Sequence, residues 1–132
     1  MRQSARNESG LFFAGLLALW LAVIFAFSAM PGSPWPQDTS LAYLLERKGA
    51  HVVEYFILTW LIFAFLRAQA PQEGRLRLLI GAVVCALAYA ATDELHQFFV
   101  PYRGASLRDV GIDLFGILLA AGTLALARFR RH

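Results

Sequence analysis

Four apolar runs, each close to the length of a bilayer crossing, leave this chain few possible folds. They are Leu11–Met30, His51–Leu66, Leu78–Val100 and Val110–Ala127. A helix of about 20 apolar residues spans the hydrocarbon layer. Inside that layer the backbone must satisfy its own polar groups, which favours helices. The chain has 132 residues, of which 58% are hydrophobic, and its mean hydropathy is +0.54. That is too apolar for an ordinary soluble domain. The expected fold is all-α: one polytopic membrane domain over 1–132, packed as a bundle of four transmembrane helices at about 11–30, 49–66, 78–100 and 107–127.

The net charge of +3 does not point to nucleic acid, because the basic residues flank the apolar runs as topology signals do. Four crossings put the N-terminus, the middle loop and the C-terminus on one side. That side holds Arg2, Arg6, Arg67, Arg75, Arg77, Arg128, Arg130 and Arg131; the other holds Arg47, Lys48, Arg103 and Arg108. The bias places both termini in the cytoplasm. A basic start before an apolar run also describes a signal peptide, but the first run exceeds the usual signal core of about 7–15 residues. A retained helix is the expectation. Pro31, Pro34 and Pro36 end it. Leu41–Leu45 is expected as a short helix at the outer surface, within the loop between the first two crossings. Cys85, the only cysteine, lies mid-run and reads as a buried structural thiol.

Polar residues collect at the ends of the last three crossings. Lys48, His51, Glu54 and Tyr55 recur at spacings of three and four, so they share one helix face. The stretch Thr92–Asp113 sits between two apolar runs and carries Asp93, Glu94, His96, Gln97, Arg103, Arg108, Asp109 and Asp113. Pro101 closes the third helix, and Ser106 has the character of an N-cap with Asp109 three residues on. Asp113 lies a turn deeper, where a cap has no use for it. Ionisable groups at bilayer depth are costly unless paired or hydrated. In an antiparallel bundle these three helix ends meet, and their polar groups are expected to line one outward-facing cavity. Glycine and alanine at 81, 82, 86, 88 and 90 allow close helix approach.

Two segments resemble a known family. They are Lys48-x-x-His51-x-x-Glu54-Tyr55, and Asp93-Glu94-x-x-Gln97-x-Phe99-x-Pro101-x-Arg103-x-x-Ser106-x-x-Asp109-x-x-x-Asp113-x-x-Gly116. The sequence resembles the VanZ-like family of small bacterial membrane proteins, named for a protein linked to resistance to the glycopeptide teicoplanin. The resemblance covers roughly Phe25 to Ala127. Two positions depart from it: many members have asparagine at Asp113, and a small residue, usually glycine, at Ala120. The resemblance implies a multi-pass protein of the bacterial cytoplasmic membrane and cell envelope with a polar outer site. It brings no reaction with it.

The residues support several functions. The first is an enzyme acting on a lipid or lipid-linked envelope precursor, with a possible tie to glycopeptide resistance. Its candidate catalytic residues are His51, Glu54, Asp93, Glu94, His96, Gln97 and Asp113, types suited to acid–base work or a divalent metal. Lys48, Tyr55, Arg103, Ser106 and Asp109 are candidates for holding an anionic head group. The second is a non-catalytic binding or interaction protein. The third treats the polar groups as structural, with Arg103 paired to Glu94 or Asp109 and His51 paired to Asp113. Transport is a fourth, and needs a homo-oligomer to form a pathway. No nucleophile stands out. The step from His51 to Glu54 resembles a metal-ligand spacing only weakly, so metal and cofactor stay unassigned. The expected partners are the lipid bilayer and an anionic ligand.

The topology is directly testable. A cysteine placed at Asp38 is expected to react with an impermeant thiol reagent in intact cells, and one placed at Gly74 to stay unlabelled. The reverse pattern inverts the orientation.

Overall fold

The computed structural model describes residues 2–32, 41–103 and 107–127. Among these residues the chain forms α1 (Arg2–Ser28), α2 (Leu41–Gln69), α3 (Arg75–Phe98) and α4 (Leu107–Leu126). Each contains an apolar span: Asn7–Ser28, Lys48–Gln69, Arg75–Phe98 and Arg108–Leu126. The shortest has 19 residues, and at 1.5 Å per residue even this one reaches across roughly 30 Å. The segment from Leu41 to Leu45 is helical and runs on into α2, lengthening it beyond its apolar part.

The buried faces follow helical spacing. On α2 they are Tyr55, Leu58, Thr59, Ile62 and Phe63; on α4, Asp113, Ile117, Ala120 and Leu124. On α3 a stripe of Leu78, Ala82, Ala86 and Ala90 leads directly into buried Asp93, Glu94 and Gln97. Each of those three alanines is 0% exposed, so the helix backbones come close. In lipid, helix association relies on such packing because tails and side chains are equally apolar. Cys85 breaks the sequence expectation: it is exposed, one position away from the Ala82 and Ala86 stripe. A 3.6-residue period decides its direction, and its own chemistry does not.

α2 is the central element, packed on each of the other three helices and most extensively on α4. α1 lies at the edge. It touches α2 but barely reaches α3, and Leu11, Phe12, Leu19, Phe25 and Phe27 point outward, where lipid would cover them. Its anchors are Ile24 and Ser28, both buried, and Trp20, whose Nε1–H donates to the Glu54 carbonyl at 3.0 Å. Polar side chains within the spans also bond internally: Thr59 Oγ1 to the Tyr55 carbonyl at 2.8 Å, and Trp60 Nε1 to Thr123 Oγ1 at 3.1 Å. At the end away from the polar cluster, Arg75 donates to the Leu124 carbonyl and lies 5.4 Å from the Phe63 ring centre.

Gly116 sets the closeness of α2 and α4. A Cβ built there would overlap the Val52 carbonyl. Any side chain therefore forces the two helices apart. Overpacking of this kind costs about 1–3 kcal/mol. Gly116→Ala is expected to lower the thermal stability of the detergent-solubilised protein, and Gly116→Val to lower it further. Gly122→Ala is the control, since nothing lies within 4 Å of a Cβ built at Gly122. Equal stability of the Gly116 and Gly122 variants would refute the close contact.

Candidate functional site

Four helix ends meet at one end of the bundle. They are the C-terminal ends of α1 and α3 and the N-terminal parts of the spans in α2 and α4. The polar residues singled out in the sequence sit there, so far as they are described. Val52, next to His51, is the residue that Gly116 abuts, and Asp113 is three residues before Gly116 on the same buried face. The tight crossing therefore brings these two side chains together. His51 Nδ1 lies 3.0 Å from Asp113 Oδ1. Asp113 is 0% exposed, and its second oxygen, Oδ2, is buried with no hydrogen-bond partner. This is the structural pair the sequence anticipated for His51.

Around this pair the other carboxylates close in. Glu54, Asp93 and Asp113 all act electrostatically on one another and on His51. Asp93 is buried and accepts from Gln97 Nε2 at 2.8 Å, one turn along α3. Glu94 is buried too, and donor atoms of His51, Glu94 and Asp113 lie within 4.8 Å of one another. The sequence places Glu94 about 100° around the helix from Asp93, yet both are buried, because α3 is enclosed on that side by α2 and α4. Tyr55 forms a fully buried floor, with its ring centre 6.4 Å from that of Tyr89.

The rim is built from ionic and backbone contacts. Lys48 pairs with Asp109, tying α2 to α4 at the level of the first turn. The turn between α3 and α4 is docked onto the end of α1. Gly32 N–H donates to the Pro101 carbonyl at 3.0 Å. A Cβ at Gly32 would overlap the Tyr102 carbonyl. Tyr102 itself has φ 58, left-handed and unusual for a tyrosine. The sequence paired Arg103 with a carboxylate. The bonds seen from its Nη1 go to main-chain carbonyls: to Phe27, to Ser28 at 2.7 Å and to Met30 at 3.1 Å. They lie at and just past the C-terminal end of α1, the negative end of its dipole, and the Phe27 carbonyl also accepts from Met30 N–H at 3.3 Å. Ser106 lies outside the described residues.

His96 takes a different direction from the other candidates. Its ring stacks on Phe25 of α1, with centres 4.8 Å apart, and its Nε2 is buried without a partner. Several contacts had no clear sequence signal. Tyr89 reaches from α3 to donate to the Leu21 carbonyl at 3.2 Å. Ser28 is buried with its hydroxyl unbonded. Gly32, in a stretch read only as a helix stop, turns out to be a docking point. For Trp20 the signal was present: an indole N–H in an apolar run needs an acceptor.

Four apolar helices enclosing a cluster of buried ionisable groups at one end define a multi-pass membrane protein. The family model described as VanZ/LLP1 matches residues 13–128, and the chain belongs to that family. No curated protein and no solved structure matches it.

The docking of the turn gives a clear expectation. One nitrogen of Arg103 makes the bonds to α1, so a compact ammonium can replace it. Charged hydrogen bonds contribute about 1.5–3 kcal/mol. Arg103→Leu is expected to destabilise the protein within that range, and Arg103→Lys to retain most of the stability. Chemical denaturation in detergent measures both. A lysine variant as unstable as the leucine variant would show that the guanidinium fork itself is required.

Proposed function

We propose that this protein is an enzyme of the bacterial cytoplasmic membrane that acts on the polar head group of a lipid or lipid-linked envelope precursor. Both termini face the cytoplasm and the polar end faces outward. The observation that carries this reading is the 3.0 Å contact between His51 Nδ1 and a fully buried Asp113. A carboxylate in that position fixes the ring and its tautomer and leaves the other nitrogen for proton transfer. Lys48, partly exposed at the rim, supplies positive charge for an anionic head group. In this reading the attacking group is a water or a hydroxyl of the substrate. His51 accepts its proton, and the neighbouring carboxylates hold the charge that develops on the ring. A tie to glycopeptide resistance follows where the altered precursor is the antibiotic's target.

The pairing of Lys48 with Asp109 across α2 and α4 favours a second reading, in which the network holds the helices and the protein binds its ligand without chemistry.

Lipid extracts distinguish the two. Cells lacking their own copy would express wild type, His51→Asn or Asp113→Asn at equal membrane levels, and their lipid-linked species would be compared by mass spectrometry. Under the enzyme reading wild type shifts one species, and both folded variants lose the shift by about 100-fold or more. An unchanged profile with wild type, or full activity of both variants, would overturn it.

A further inference from the structure

We infer that His51, Glu94 and Asp113 form a binding site for a single divalent transition-metal ion, with zinc the best match. The three residues come from α2, α3 and α4, and each offers one donor atom within 4.8 Å of the others. Arms of about 2.0–2.1 Å around a tetrahedral ion set neighbouring donors roughly 3.3 Å apart. His51 Nδ1 and Asp113 Oδ1 already stand at 3.0 Å. The other donor pairs lie within 4.8 Å and have at most about 1.5 Å to close to reach that spacing.

A second observation points to a ligand. Asp113 is 0% exposed, and its Oδ2 has no hydrogen-bond partner. A buried carboxylate oxygen without a donor is costly, and native structures rarely leave one so. An ion bound beside it removes that cost. Charge gives the same answer. A doubly charged cation would balance the two ligating carboxylates within a cluster that also holds Glu54 and Asp93.

The donor set limits the metal. An imidazole with two carboxylates suits zinc and its first-row neighbours; magnesium and calcium prefer all-oxygen sites. No thiolate is at hand, since Cys85 faces out of the bundle. Three protein donors leave a fourth position for water or substrate, the arrangement of zinc sites that do chemistry. Gly116 fixes the distance between two of the donor helices, so the site is built by packing and not by a loop. The catalytic meaning of the ion rests on the function proposed above, with one change of role: an ion-bound His51 is a ligand in place of the base, and the ion's open position would supply the activation of the water. Binding itself needs no substrate.

The test uses the purified full-length chain in detergent, stripped with chelator and titrated with zinc chloride. Calorimetry and elemental analysis after dialysis are expected to give one zinc per chain, with a raised melting temperature. His51→Asn, Glu94→Gln and Asp113→Leu are each expected to weaken binding at least about tenfold. His96→Asn, with its ring on Phe25, and Glu73→Gln, bonded to Arg77 at the far end, are expected to bind as wild type does. Cobalt loaded in place of zinc is expected to give a visible spectrum that Glu94→Gln alters. Variants that elute and unfold as wild type are compared; where one does not fold, the wild-type stoichiometry and melting shift decide. Absence of bound zinc in wild type, or weakening below tenfold in the folded variants, overturns the proposal. Zinc binding with an unchanged lipid profile would leave the metal site standing and remove the enzyme reading. A changed lipid profile without zinc would do the opposite.

Discussion

The crossing of α2 and α4 at Gly116 governs much else in this protein. With no side chain at Gly116, the α4 backbone packs directly against the Val52 carbonyl. That contact places His51 beside Asp113 and, one turn nearer the end of the bundle, Lys48 beside Asp109. Both pairs join the same two helices. Their spacing along α2 is three residues and along α4 four, so a single crossing geometry serves both. The glycine thus positions two side-chain pairs that it does not touch.

The stripe on α3 completes the arrangement. Ala82, Ala86 and Ala90 pack flat against their neighbours, and the same face then changes from methyl groups to carboxylates at Asp93 and Glu94. The switch happens within one turn. The burial of these carboxylates is a product of the apolar stripe as much as of their own position.

Much of this was legible in the sequence, for definite reasons. Helix number followed from the apolar runs, because hydrocarbon permits little else. The meeting of His51 with Asp113 was open to prediction because spacings of three and four fix a face, and polar faces in lipid turn inward. Arg103 was harder. Its carbonyl partners on α1 carry no side-chain signature, so the sequence offered only carboxylates as acceptors. Gly32 was hidden for the same reason: its role is a backbone contact with a turn far along the chain. Cys85 was misjudged by treating an apolar run as uniformly buried, when in a membrane the outer face of a helix is as apolar as the inner one. His96 shows the limit of counting residue types, since its ring belongs to α1 packing.

The docking of the turn at Pro101–Arg103 onto the end of α1 also bears on how the protein is assembled. A chain emerges N-terminal end first, so α1 and α2 enter the membrane before α3 exists. Until then the carbonyls of Phe27, Ser28 and Met30 lack the Arg103 guanidinium, and Phe27 keeps only its bond from Met30 N–H. They meet Arg103 when the third crossing is complete and the chain has turned back. The contact of Gly32 with Pro101 closes in the same step. The fastening of the first helix is therefore among the later events of biogenesis, and a chain halted after its second crossing would hold α1 by its contacts with α2 alone.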